Sequence, residues 1–281
     1  YEKAYGQFME SLTLLRSGAE RHDVIKALLQ LSNVARMLGS FGEAIGHAAE
    51  ALELCESSAD EYFAGFARAA LGCIHLAAGE IEAARRFFTA SLEAFDAAGA
   101  RGDAALVVNN LGLCALYEGD LEVASALCRQ ALERSRLARY DFSVTHTLHS
   151  LAMISARSGR AHEARNYLER ALALARRLED CELCLMCIEV AAEIAYSTGA
   201  TEQAAKFLSA ADRGRARFHA LRAPIESRFA DDFKRRVIER LPAHAYSPME
   251  AIGALLTLED ALDEVQSFLS SLREFESVGQ A

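Results

Sequence analysis

Residues 39–79 read GSFGEAIGHAAEALELCESSADEYFAGFARAALGCIHLAAG, two helical patterns between two glycines. In GEAIGHAAEALEL (42–54) and EYFAGFARAALGCIHLAA (61–78), apolar residues recur at steps of three and four, the spacing that gives a helix one apolar face. Forty residues on, the arrangement returns. Gly39, Gly79, Gly119, Gly159 and Gly199 share one spacing, as do Ala44, Ala84, Ala124, Ala164 and Ala204. Leu31, Leu71, Leu111 and Leu151 hold a phase of their own, with Ala191 as the fifth member. The small residues Ala51, Ser91, Ala131, Ala171 and Ala211 hold another, followed by Leu52, Leu92, Leu132 and Leu172. A period of this length means stacked supersecondary units.

Each glycine ends a first helix, A, where a left-handed residue lets the last carbonyls find partners. The segments that follow (SFGEA, EIEAA, DLEVA, RAHEA, ATEQA) are tight turns into a second helix, B. Their acidic and small polar residues suit an exposed helix N-terminus. The alanine five positions after each glycine is expected where helices A and B cross closely.

Composition narrows the function classes. The chain has 281 residues, 52% of them hydrophobic, with three Pro and no Trp. That apolar content excludes disorder, and the dominance of Ala and Leu disfavours a β-rich fold. Forty acidic against 30 basic residues give a net charge of −10, which argues against nucleic-acid binding over the whole surface. No run of 18 apolar residues offers a membrane span, and charges throughout YEKAYGQFMESLTLLRSGAE rule out a signal peptide there. Seven cysteines in a long chain without small-scaffold spacing read as reduced thiols of a cytoplasmic protein.

The repeat resembles the tetratricopeptide repeat (TPR). Leu71-Gly72 and Leu111-Gly112 match the Leu-Gly pair of that pattern, and the turn glycines and the two small-residue series complete it. No Trp opens helix A, the Tyr position holds Ala35, His75, Ala115, Ser155 and Ala195, and the closing Pro is missing. With 40-residue units the resemblance implies longer helices, as in the TPR subfamily that includes kinesin light chains and bacterial peptide receptors. The fold it implies is all-α: a right-handed superhelical TPR-like solenoid of helix-turn-helix repeats, five of them over 21–220. Residues 1–20 carry the phase of a B helix whose own A helix is absent, as in a fragment of a longer protein. Residues 221–281, where all three prolines fall, are expected to form C-terminal capping helices at about 224–241 and 258–275. SAADRGRARFHALRAPIE (209–226) and LTLEDALDEV (256–265) resemble the C-terminal regions of bacterial signal-transduction ATPases and LuxR-like transcription regulators. In those, a TPR array follows a nucleotide-binding domain.

The resemblance also implies a ligand groove lined by the A helices. Its geometry assigns Lys26, Leu29, Asn33 and Arg36, then Phe66, Ala69, Cys73 and Leu76, then Leu106, Asn109, Leu113 and Leu116. The fourth unit adds His146, His149, Met153 and Ala156, and the fifth Met186, Glu189, Glu193 and Tyr196. The groove then runs from a basic end through an apolar middle to a His/Glu end. Of the Lys/Asn set with which chaperone-binding TPRs hold a terminal carboxylate, only Lys26 and Asn33 have counterparts. An apolar groove edged by Asn109 and Asn110 better suits an extended or helical peptide, whose backbone an amide can pair. The competing arrangement has the C-terminal cap filling the groove.

Other constellations have bland readings. Cys181, Cys184 and Cys187 invite a cluster or zinc reading, but on one helix the first and third lie about 240° apart, so three thiolates do not converge. They read as structural thiols. His146 and His149, with Glu189 and Glu193 on the next A helix, could make a two-His, two-carboxylate metal site or a hydrogen-bonded patch; the patch is preferred. Residues 206–240 hold ten Lys/Arg against five Asp/Glu, a solvated face rather than a nucleic-acid platform. No catalytic motif appears, so neither catalysis, cofactor nor metal is expected. The function expected is a peptide- or protein-interaction module, the sensor or docking arm of a cytoplasmic bacterial regulator. The alternatives are a free-standing scaffold or peptide receptor, and a metal-dependent enzyme.

Overall fold

The computed structural model of the chain describes residues 1–18, 20–242 and 244–278. Among these, fourteen helices and no strand occur. Helix α1 (Glu2–Leu15) is followed by five pairs of alternating A and B helices: α2 (Arg21–Met37), α3 (Phe41–Ser57), α4 (Glu61–Ala78), α5 (Ile81–Ala97) and α6 (Arg101–Glu118) come first. Then come α7 (Leu121–Leu137), α8 (Asp141–Arg157), α9 (Ala161–Arg177), α10 (Cys181–Ser197) and α11 (Thr201–Phe218). The chain ends in α12 (Pro224–Arg240), α13 (Tyr246–Leu255) and α14 (Leu258–Val278). None of the described helices is long and apolar enough to cross a membrane.

Both turns of every repeat close on a left-handed residue. After the A helices these are Gly39, Gly79, Gly119, Gly159 and Gly199, with φ of 72–89°. After the first four, the next amide reaches back to the last turn of the helix, as in Glu80 N–H to the His75 carbonyl at 2.8 Å. A second 40-residue series ends the B helices: Ala59, Gly99, Arg139, Glu179 and His219, with φ of 51–69°. Its regularity is hidden in the sequence because only one member is glycine. The other four hold a conformation that costs an L-residue about 1–2 kcal/mol. Ala59→Gly, Arg139→Gly and Glu179→Gly are each expected to raise the unfolding free energy by about 0.5–1 kcal/mol, after glycine's own entropy cost. Urea denaturation of the single variants checks this.

The chain divides into two compact units, Tyr1–Ser143 with Leu221–Ser227, and Val144–Ala220 with Arg228–Ala281. In the first, Ala44, Ala84 and Ala124 are fully buried, as expected of residues at A/B crossings. The crossings are close enough to exclude even one added carbon opposite them. A Cβ on Gly72 would stand 2.6 Å from the Phe88 ring, and one on Gly112 2.6 Å from the Cys128 sulfur. Leu12 of α1 packs into one cluster with Ile25, Leu28, Leu31, Ala51 and Cys55, so α1 is held against α2 and α3.

In the second unit, Ala164 and Ala204 are likewise fully buried. The stretch expected to be broken between two C-terminal helices instead contains α13. Pro248 does not prevent this helix, because it lies in the first turn, where no intrahelical N–H bond is lost. α13 meets α11 backbone to backbone: a Cβ on Gly253 would fall 2.2 Å from the Lys206 carbonyl, and Ser209 Oγ donates to the Glu250 carbonyl at 2.6 Å. α14 is tied down by Arg176 to Asp263 at 2.6 Å, by a Lys206–Glu264 ion pair and by the Phe207–Phe268 edge contact.

Candidate functional site

Several contacts between neighbouring A helices join residues 36 or 37 apart: Lys26 over Phe63, Asn110 Nδ2 donating to Cys73 Sγ at 3.7 Å, and Arg157 to Glu193. Tyr196 meets Phe233 of α12 at the same step, and others reach further, as Tyr62 does to Asp103. Rows of side chains therefore run across the A helices. Their composition decides what each face can bind.

In the first unit, Lys26 and Asn33 are exposed, and Asn33 accepts from Arg36 Nη2 at 2.9 Å. Phe66, Leu106, Asn110 and Leu113 are half-buried, each with part of its surface open. Phe66 belongs to an aromatic cluster absent from the sequence reading, with ring centroids 5.1 Å from Tyr62 and 4.8 Å from Phe95. The spacing of Tyr62, Phe63 and Phe66 on one helix is the signal that could have found it. Asp103, which takes the Tyr62 hydroxyl at 3.4 Å, has its carboxyl pushed up by burial.

Two assigned residues are not on this face. Asn109 is 3% exposed and accepts from Cys128 Sγ of α7 at 3.6 Å; Leu116 is 2% exposed. The reason is angular. At 100° per residue, positions 110, 113 and 117 fall within about 40° of Leu106, whereas 109 and 116 lie about 60–80° to one side, towards the B helix. The same offset turns His149 inward on α8, and Leu76 and Ala156 with it.

The second unit's A face is engaged with its own charges. Arg157 forks onto Glu193 at 2.9–3.2 Å, and Arg215 of α11 forks onto Glu189 at 2.6 and 3.1 Å. Tyr196 is covered by α12: Phe233 meets it edge-on, Arg240 and Arg236 lie over its ring, and Arg240 donates to its carbonyl at 3.1 Å. Phe229 of α12 lies over the Arg157 guanidinium. His146 and Met186 are half-buried. His149 is pushed down to about 4 by burial and so is neutral near pH 7.

The remaining constellations resolve in the same way. Glu189 and Glu193 of the candidate metal site are committed to arginines. Among the described residues no group of three or more His, Cys, Asp or Glu is placed to hold a metal ion. Cys184 and Cys187 are buried, as structural thiols should be, but Cys181 is exposed. Of the basic stretch, Lys206, Arg215, Lys234, Arg235 and Arg236 all pair with carboxylates.

Models of the tetratricopeptide repeat match residues 23–97 and 144–179. The chain is a tetratricopeptide-repeat-type helical repeat protein. No curated protein matches it by sequence. Among solved structures, this TPR chain is similar to the Rap conjugation gene regulator of plasmid pLS20 in complex with the Phr* peptide. The two are 17% identical with a TM-score of 0.64, over 91% of this chain and 72% of that one. It is similar to BtubC from P. vanneervenii at 18% identity and TM-score 0.59, over 78% of this chain and 92% of that one. A signal transduction ATPase with a tetratricopeptide repeat sensor, from Pyrococcus horikoshii, gives 17% identity and TM-score 0.58. That likeness covers 95% of this chain and 42% of the other. At these identities the likeness is one of fold, an all-α TPR solenoid; the matched repeats support a protein-interaction module.

Proposed function

We propose that this TPR chain is the sensor or docking arm of a cytoplasmic bacterial regulator, and that it takes a peptide segment on the A-helix face of its first unit. The observation that carries this reading is the difference between the two faces. In the second unit, Glu189, Glu193 and Tyr196 are occupied by arginines and by α12. In the first, Phe66, Leu106 and Leu113 keep part of their apolar surface open, and the amides of Asn33 and Asn110 are on the surface too. Apolar side chains supply affinity and an amide can pair with a peptide backbone. The Rap regulators solved with peptides and the ATPase with a repeat sensor support the reading by analogy of fold.

A linear-peptide display library selected against the wild-type protein tests it. Selected peptides are expected to lose at least about tenfold in affinity to the double variant Asn110→Ala, Leu113→Glu, about 1.4 kcal/mol or more. They should keep their affinity for Tyr196→Ala. Circular dichroism confirms that helical content is kept. Binding unchanged by the double variant would move recognition off this face and favour a passive scaffold.

A further inference from the structure

The Cys181-Glu-Leu-Cys184 stretch has no part in the groove. Of the seven thiols, all unpaired, only Cys181 is exposed; Cys73 is half-buried and the other five are buried. Cys181 is the first residue of α10 and Cys184 lies one turn further on. Residues three apart on an α-helix have Cα atoms about 5 Å apart, inside the range of about 4.4–6.8 Å found in disulfides. Their Cβ atoms, at about 5–6 Å, must come closer before a bond can form.

Cys181 can make that movement. The first N–H groups of a helix have no intrahelical acceptor, so shifting residue 181 breaks no bond donated by its own amide. The residue two before it, Glu179, is in the left-handed turn at φ 54°, and Asp180 anchors the helix by accepting from Leu183 N–H at 2.9 Å. Cys184 and Cys187 have the same spacing, but both lie deeper in α10 and are buried, so closing that pair requires distortion of the helix itself.

We propose that Cys181 and Cys184 are a dithiol that closes reversibly to a disulfide, with a small-molecule disulfide such as glutathione disulfide as oxidant. The Cys181 thiolate attacks one sulfur of the oxidant; that S–S bond breaks, one glutathione leaves and takes up a proton, and a mixed disulfide remains on Cys181. Cys184 then gives up its proton and attacks the Cys181 sulfur, and the second glutathione leaves protonated. Two protein thiols are oxidised and one glutathione disulfide is reduced to two thiols.

The burial of Cys184 sets the order of these steps. Loss of solvent, chiefly, pushes its thiol up to about 11, Cys181, Asp180 and Glu259 acting in the same direction and Arg176 against. By itself it is a poor nucleophile towards anything in solution. Against a sulfur already held on Cys181 the attack is intramolecular, and proximity replaces the lost reactivity.

The test incubates the full chain with glutathione disulfide, quenches with acid and reads intact mass and fragment maps. Wild-type protein and Cys187→Ser should each lose two hydrogens, localised to residues 181 and 184, and dithiothreitol should reverse the change. Cys184→Ser should accumulate one glutathione on Cys181, and Cys181→Ser should not react. A persistent glutathione adduct on the wild type, a bridge that includes Cys187, or an unmodified Cys181 each overturns the proposal. Circular dichroism shows that each variant is folded before it is scored.

Discussion

Glu189→Ala is expected to lower the unfolding free energy by about 3–5 kcal/mol, because it leaves the Arg215 guanidinium with no carboxylate in a buried place. Arg215 keeps only 8% of its side-chain exposure, and its two bonds to Glu189 join α11 to α10, a B helix to its own A helix. A surface ion pair of the same chemistry contributes about 0–1 kcal/mol, as expected for Arg235→Ala, whose partner Asp232 is also exposed. Guanidinium-chloride melts of the two variants measure the contrast. The double variant Glu189→Leu, Arg215→Met should recover most of the loss, since it removes both charges. Equal, small effects at 189 and 235 would show that water reaches the Arg215 pair.

Acidification is expected to weaken the second unit through His149. Its folded-state pKa, about 4, lies below the ordinary value of 6.5 because burial excludes the charged form. His146 and Arg157 act in the same direction, and Glu189 and a hydrogen bond to the Met186 backbone oppose them. A lowered folded value means that the unfolded chain binds the proton more readily. The stabilisation is therefore complete above pH 6.5, falls as pH drops towards 4, and is gone below that. Its full size is about 3 kcal/mol, because each pH unit between the folded and unfolded values contributes about 1.4 kcal/mol. His149→Gln should flatten this part of a plot of denaturation midpoint against pH. A wild-type plot that is already flat between about pH 6.5 and 4.5 would mean that water or a carboxylate stabilises the imidazolium.

The two A-helix faces show how one repeat pattern yields surfaces with different capacities. In both units side chains 36 or 37 residues apart meet between neighbouring A helices, yet in the first Cys73 meets the Asn110 amide, whereas in the second Glu193, the residue equivalent to Cys73, meets Arg157. An arginine meeting a carboxylate at that step closes the face on itself. A thiol meeting an amide leaves hydrogen-bonding capacity open.

The sequence alone determined the architecture at the level of the repeat. Period, helix pairing and the A-to-B turns are written in local residue types: glycine where φ is positive, alanine where helices cross, apolar residues at helical spacing. These signals are short-range and repeat five times, so the helix alternation from α2 to α11 was legible residue by residue. The B-to-A turns were not, because Ala59, Arg139, Glu179 and His219 adopt the left-handed conformation without being glycine, held there by the packing of the helices they join. Nor was α13, whose proline falls at a tolerated position. Only the tertiary structure decided which side chains face outward. A rotation of about 60° separates Leu106, half-open on the A face, from positions such as Asn109 that turn to the B helix, and the stripe pattern does not resolve that angle. The charge partners were equally out of reach of sequence reading: Arg157 finds Glu193, and Arg215 finds Glu189, across 36 and 26 residues, and nothing local to either arginine names its carboxylate.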